Sequence, residues 1–369
     1  MKHLKTLGIA ALILLLLFTA CTPDTPPVDE NQQQNEQNQN GDGSDSGDGN
    51  GETGDGQQSG GSETGDGSGQ QSGDGSGSGD GQSQGSTYTG QTSVVTFAPE
   101  VANQGKTFSG LAPLPVIDYT IIDPANTRGL STEKFGFSYG VAKNGEPHHI
   151  TVNNQKRFDG FGTNALAWDN QTNKEEAKVL YLTFDCGYVY GTLTEDMLDI
   201  LKEKQVPAAF FCTLDYLGDA PETVTRMITE GHIVGNHSTT HPSDSAAIGR
   251  EKLGWELLGV ENYLRANFGY SSKYFRFPTG AYSEDALDLV NSVGYRSVFW
   301  SIAHADWDPK NQPGVQKSFD TVTSRLHPGA VILLHSTSPD NAAILADFID
   351  FARQQGYEFR SLDQYPGWN

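Results

Sequence analysis

Six polar residues of this 369-residue chain each close or follow a short apolar run: Asp185, His237, His241, Arg276, Asp306 and His335. What they could do depends on whether they meet. His237 and His241 sit four apart in Asn236-His237-Ser238-Thr239-Thr240-His241. On a helical turn that spacing puts both imidazoles on one face, where they could hold a divalent cation. A single His is more often a packed or surface residue, and a strand-end Arg or Asp is more often solvated or salt-bridged. The functional reading rests on the position they share at the ends of successive strands.

The elements that would position them show in the periodicity. From residue 176 onward, apolar runs of strand length occur at 179–184, 208–213, 232–235, 274–276, 297–302, 330–335 and 357–359. Amphipathic stretches separate them. One opens with Thr192 and Glu195 in capping-box spacing and carries Leu193, Met197, Leu198 and Leu201 on one stripe. Pro221 opens the next and Gly231 stops it. A long helix over 245–268 repeats Leu253, Leu257, Val260, Leu264 and Phe268 at three- and four-residue intervals. Ser283 caps another, with Glu284 and Asp285 in its first turn, and two more are expected near 319–326 and 340–355. This alternation predicts an α/β fold with a parallel sheet covered by helices. About seven such units could close into a barrel, and an open doubly wound sheet satisfies the same pattern. In either, the C-terminal strand ends form one rim, and the polar residues would gather there.

Five segments in order carry a resemblance: Thr183-Phe184-Asp185-Cys186-Gly187-Tyr188, His237 to His241, Arg276-Phe277-Pro278-Thr279-Gly280, Asp306-Trp307 and Leu333-Leu334-His335. They resemble the five motifs of the polysaccharide deacetylases (carbohydrate esterase family 4, the NodB-homology domain). The resemblance implies a distorted (β/α) barrel of about seven parallel strands over residues 176–369. It also implies metal-assisted removal of N- or O-linked acetyl groups from a glycan. Tyr188, Phe299-Trp300-Ser301 and Asn341 look like the delta-lactam-type branch, which deacetylates muramic acid in peptidoglycan. By the resemblance, His237 and His241 hold a divalent metal, with zinc expected. Asp185 is the general base and Arg276 holds its carboxylate. His335 is the general acid, oriented by Asp306. A backbone N–H near Thr279 would help hold the oxyanion. Tyr188, Trp307 and Leu333 would line the substrate pocket, although for Leu333 plain core packing reads as well.

Cys186 departs from the family pattern, in which a second Asp follows the base and ligates the metal. Three readings stay open: a thiolate ligand, a bystander near the metal, or a disulfide partner of Cys212. Chitin-like oligomers or acetylated xylan remain alternative substrates. A glycan-binding lipoprotein that has lost catalysis is a further alternative, against which the retention of Asp185, Arg276, Asp306 and His335 speaks.

The N-terminal part has another character. Residues 1–21 read as a lipoprotein signal peptide: a basic start, an apolar run at 8–18 that is short for a membrane span, then Phe18-Thr19-Ala20-Cys21. That end resembles a lipobox and would place a lipid on Cys21; an ordinary secretory signal is the alternative. Residues 22–90 are almost entirely Gly, Ser, Asp, Gln, Asn, Thr and Glu, without Lys or Arg, and predict a disordered linker. Much of the formal charge of -22 lies there, and no basic face for nucleic acid is evident. Residues 91–175 read as an irregular extension with short strands at 94–97 and 116–122. Within it, His148 and His149 would point to opposite faces of an extended chain. The expected protein is an exported monomer, lipid-anchored at the extracellular face of the cytoplasmic membrane and acting on cell-wall glycan.

Overall fold

The computed structural model describes residue 121 and residues 123–368. The leader with Cys21, the 22–90 linker and the apolar pieces at 94–97 and 116–122, except residue 121, lie outside the described residues. Within them the chain runs β1 (Phe135–Gly136), α1 (His149–Phe161), β2 (Ala165–Leu166), β3 (Lys178–Cys186) and α2 (Leu193–Lys204). Next come β4 (Ala208–Cys212), α3 (Leu214–Asp219), α4 (Pro221–Thr229), β5 (Ile233–Asn236), α5 (Arg250–Phe268), β6 (Tyr274–Phe275) and β7 (Ala281–Tyr282). The last are α6 (Glu284–Ser292), β8 (Arg296–Val298), α7 (Val315–Ser324), β9 (Ala330–His335), α8 (Pro339–Gln354) and β10 (Tyr357–Phe359).

Eight strands form one sheet in the order β10-β3-β4-β5-β6-β8-β2, with β9 also on β3, and every pairing is parallel. Single-residue bridges Ile302 to Ile332 and Trp168 to Ala330 carry the sheet round to β9. The strands therefore curl into a distorted barrel rather than an open sheet. The two-residue period of β3 sorts its side chains. Leu180, Leu182, Phe184 and Cys186 pack against Met197, Leu198 and Leu201 of α2. Val179 and Tyr181 meet Ala209, Phe211, Ile233, Val298 and Val331 inside the barrel.

All seven expected strands are present, and the extension supplies an eighth, β2, which pairs with β8. It also supplies α1, a helix where only irregular chain was expected. The imidazole of His148 caps α1 by accepting from the Ile150 amide at 3.3 Å, and the His148 and His149 rings lie 4.1 Å apart. The expectation of opposite faces fails because the pair sits at a turn into a helix. The Thr192–Glu195 capping box does not form. Thr192 Oγ1 instead donates to Asp196 Oδ2 at 3.2 Å, and Glu195 accepts from Thr223 Oγ1 at 2.6 Å, tying α2 to α4. Ser283 does cap α6, accepting from the Ala286 amide.

The extension also grips the loop beyond β6. β1 pairs antiparallel with β7, and the Phe137 amide donates to the Gly280 carbonyl at 3.1 Å. Phe137 stacks on Phe299 with ring centroids 4.7 Å apart. Gly280 has φ 70, and a Cβ there would lie 2.9 Å from that of Phe137, so this close approach requires glycine.

Candidate active site

Alternation along β3 from Val179 through Tyr181 and Thr183 brings Asp185 to the rim on the barrel's inner face. Parallel register sets it level with His335 at the end of β9. Arg276 directly follows β6, and its amide donates to the Asn236 carbonyl at the end of β5 at 3.0 Å. The rim of the barrel thus gathers residues more than a hundred positions apart in the chain.

Arg276 is fully buried and its donors are committed to fixed acceptors. Nη1 donates to Asp185 Oδ1 at 2.7 Å, Nη2 to Thr183 Oγ1 at 2.8 Å and Nε to the Val298 carbonyl at 2.9 Å. The Phe211 ring lies 4.2 Å from its Cζ. Burial pushes the Asp185 carboxyl up, but the charge of Arg276, with His237 and His335, outweighs it and keeps the group below the usual carboxylate range.

His237 Nδ1 lies 2.9 Å from the Arg276 carbonyl. A carbonyl only accepts, so Nδ1 carries the proton. Burial pushes the His237 pKa down to about 4, so near pH 7 the ring is neutral and Nε2 presents a lone pair. That nitrogen stands 3.5 Å from Asp185 Oδ2. Two acceptors facing each other without a proton between them suit a nearby cation. The His241 ring centroid is 4.8 Å from that of His237, and burial lowers its pKa also.

The backbone behind this pair differs from the helical turn expected. Residues 237–241 form an irregular loop in which Ser238 has φ 72 and His241 φ 52. Such left-handed non-glycine residues cost about 1–3 kcal/mol each and persist where their surroundings fix them. Here the Ser238 amide donates to Asn236 Oδ1 at 2.9 Å, and the His241 amide to Ser238 Oγ at 3.0 Å. Glu256 of α5 accepts from the Thr240 amide and hydroxyl, both at 2.7 Å.

Cys186 does not join the histidines. β3 runs through it, so the pleat turns its side chain away from the face that carries Asp185, into the apolar layer with Phe184 and Cys212. Cys212 is its register partner, and both thiols are free. The structure therefore shows neither a disulfide nor a thiolate among metal donors. Among the described residues no three His, Cys, Asp or Glu side chains gather closely enough to hold an ion by themselves. The rim offers a metal two neutral imidazoles with a carboxylate beside them.

Across the rim, His335 Nδ1 lies 2.7 Å from Asp306 Oδ1, and the His335 amide donates to Oδ2 at 2.8 Å. Burial lowers the His335 pKa, but the charge and hydrogen bond of Asp306 outweigh it, and His335 titrates above its ordinary value. Burial raises Asp306 in turn, and His335 brings it below the usual range. Each group thus favours the charged form of the other, and the bond occupies Nδ1 of the ring.

The expected pocket residues divide. Tyr188 and Trp307, on the loops after β3 and β8, are 48% and 47% exposed. Thr279 is exposed at the tip of a tight turn with φ 56, its hydroxyl donating to the Ser243 carbonyl at 3.1 Å. Leu333 is buried in β9, level with Thr183. Three supports have no role legible in the sequence: Thr183 under Arg276, Glu256 under the histidine loop, and Asn341, there only a feature of the branch, on Asp306, to which its Nδ2 donates at 2.6 Å. Thr183 and Asn341 stand in or near the motifs, but Glu256 lies on a helix face with no signal of its own.

A family profile for polysaccharide deacetylase matches residues 172–298. An uncharacterised 30.6 kDa protein of Geobacillus stearothermophilus is 44% identical over 205 residues, which span 53% of this chain and 77% of that one. The peptidoglycan-N-acetylmuramic acid deacetylase PdaA of Bacillus subtilis is 41% identical over 187 residues, spanning 50% of this chain and 70% of PdaA. The solved structure of Bacillus subtilis PdaA, a family 4 carbohydrate esterase, matches with TM-score 0.59 at 34% identity, over 64% of this chain and 98% of that chain. The chain belongs to the polysaccharide deacetylase family. It is a hydrolytic carbohydrate deacetylase.

Proposed function

We propose that this deacetylase removes the N-linked acetyl group of N-acetylmuramic acid in peptidoglycan, with a divalent metal held by His237 and His241. The observation that carries the mechanism is the pairing of Asp185 with Arg276 and of His335 with Asp306 across one rim. The likeness to PdaA supports the choice of sugar. The anchored location expected from Cys21 supports it too, since the wall is then the polymer at hand.

Asp185 takes a proton from the attacking water. Arg276 keeps that carboxylate ionised and fixed, so no reorganisation is needed as the proton moves. His335 delivers its Nε2 proton to the leaving amine, and Asp306 keeps Nδ1 bonded so that the ring is charged and aimed. The metal, when bound, polarises the acetyl carbonyl and lowers the pKa of water. Two neutral imidazoles suit zinc, and the Arg276 carbonyl fixes the tautomer in which His237 can ligate. Tyr188 and Trp307 present exposed ring faces on which a sugar can stack.

The test is acetate release from intact peptidoglycan, peptide-stripped glycan and chitin oligomers. Muramyl glycan should be deacetylated, with activity abolished by chelation and cut about 10²–10⁴-fold by Asp185→Asn. Release from chitin oligomers alone would overturn the substrate, and a fully active Asp185→Asn would overturn the base.

A further inference from the structure

We propose that His304 is a positioning residue for the acid half of the site. It fixes the Asn341 amide, which fixes Asp306, which fixes His335. The inference rests on His335 being the proton donor.

His304 lies two residues before Asp306 and is buried beside it. Its Nε2 is 3.0 Å from Asn341 Oδ1 and 3.7 Å from Asp306 Oδ2. The direction of each bond follows from its neighbours. Asn341 Nδ2 donates to Asp306 Oδ2 at 2.6 Å and to the His335 carbonyl at 3.1 Å, and both partners only accept. These two bonds identify the amide nitrogen, so Oδ1 is the accepting oxygen. His304 Nε2 is then the donor. The chain of donors runs from His304 through Asn341 to the carboxylate that holds His335.

A second observation separates this role from packing. The other ring nitrogen, Nδ1, is buried without a hydrogen-bond partner among the described residues. An unmatched buried polar atom opposes folding. An aromatic hydrocarbon would fill the same volume without that cost. A histidine here is explained by the bond that its Nε2 makes.

The consequence concerns the Asp306 carboxylate. Its Oδ2 accepts from the His335 amide and from Asn341, while Oδ1 faces the imidazole. If the Asn341 amide loses its fixed orientation, the carboxylate can rotate, and the proton on His335 Nε2 is no longer aimed.

The test uses purified full-length protein and acetate release, with His304→Phe, His304→Gln and His335→Ala. His304→Phe removes the donor, and His304→Gln restores an N–H that can reach Asn341. His304→Phe should lower kcat about tenfold, the effect of one net hydrogen bond on a barrier, with KM within about twofold. His304→Gln should recover most of the loss. In the His335→Ala background, His304→Phe should cost nothing more, since the acid it serves is gone. Exchange of the His335 Nδ1 proton with solvent, followed by NMR, should be faster in His304→Phe than in His304→Gln. Thermal unfolding confirms that each variant is folded. Equal kcat in wild type and His304→Phe, equal losses in the Phe and Gln variants, or a loss confined to KM would each overturn the positioning role. Full activity in His335→Ala would instead overturn the assignment of the acid, so the two failures are told apart.

Discussion

Strands β5 and β9 each carry a histidine at both ends. His232 precedes β5 and His237 follows it; His327 precedes β9 and His335 closes it. At the N-terminal ends, burial drives His232 to about 3 and His327 to about 4. At the C-terminal ends His237 is as deeply buried, the side chain of His335 is 25% exposed, and carboxylates stand beside both rings. His237 is still pushed down to about 4, because burial, His241 and Arg276 oppose the pull of Asp185. His335 alone of these four rises, since Asp306 bonds it directly. Burial lowers all four rings, though not to the same depth. What sets His335 apart is the carboxylate bonded to its ring, together with its partial exposure.

The largest expected effect breaks the carboxylate side of that contrast. Arg276→Leu leaves Asp185 buried without its cation. Breaking a buried pair by removing one partner costs about 3–5 kcal/mol of stability, and activity should fall below detection. Chemical denaturation together with acetate release measures both. A variant as stable as the wild type would mean that Asp185 takes up a proton instead of remaining charged.

A smaller effect tests the other pair. Asp306→Asn keeps the shape beside His335 but removes the charge that raises it. His335 should then titrate lower, since burial is less opposed once the charge of Asp306 is gone, and kcat at neutral pH should drop about 10²-fold, within the usual range for a general acid. Titration of the His335 ring by NMR checks the cause separately from the rate. An unmoved ring in a slow variant would show that Asp306 acts through geometry alone.

The same contrast explains what was legible in the sequence. Continuous apolar runs report buried parallel strands, so seven of the eight were visible; Ala165–Leu166 is too short to carry any period, and only its partner β8 defines it. Helix α1 was invisible for a different reason. Much of its buried face is polar: Thr151 donates to the Tyr139 carbonyl at 2.5 Å, Asn154 to Ser138 at 2.6 Å and Gln155 to Ala165 at 3.0 Å. Hydrogen bonds hold that face, and hydrophobic periodicity does not register them. At the site, strand-end position and motif order revealed Asp185, His237, His241, Arg276, Asp306 and His335. The side chosen by Cys186 was hidden, because it turns on whether β3 ends at 184 or continues to 186. The loop between the histidines was hidden too, because Glu256 and Ser238 set its backbone from outside any local pattern.

The smallest expected effect lies at the N-terminal ends of the two strands. An unfolded histidine titrates at about 6.5, whereas native His232 and His327 sit at about 3 and about 4. Above pH 6.5 both states leave these rings neutral, and they add no pH dependence. As pH falls from 6.5 towards 4, the unfolded chain binds protons that the native rings refuse, so stability falls. Each ring contributes a slope of at most about 1.4 kcal/mol per pH unit. His335 has the opposite sign. Its raised pKa gives stability that is complete below 6.5 and lost as pH rises through the native value, so it adds no slope in the acid window. His237 and His241 are lowered as well and steepen the acid slope of metal-free protein, so the useful quantity is the difference between variants. Urea unfolding from roughly pH 7 to 4.5 should show a shallower acid loss in a His232→Gln, His327→Gln variant than in the wild type. Parallel curves would mean that these two rings open to solvent and accept protons while the barrel stays folded, and the contrast between the ends of β5 and β9 would then narrow to His335 alone.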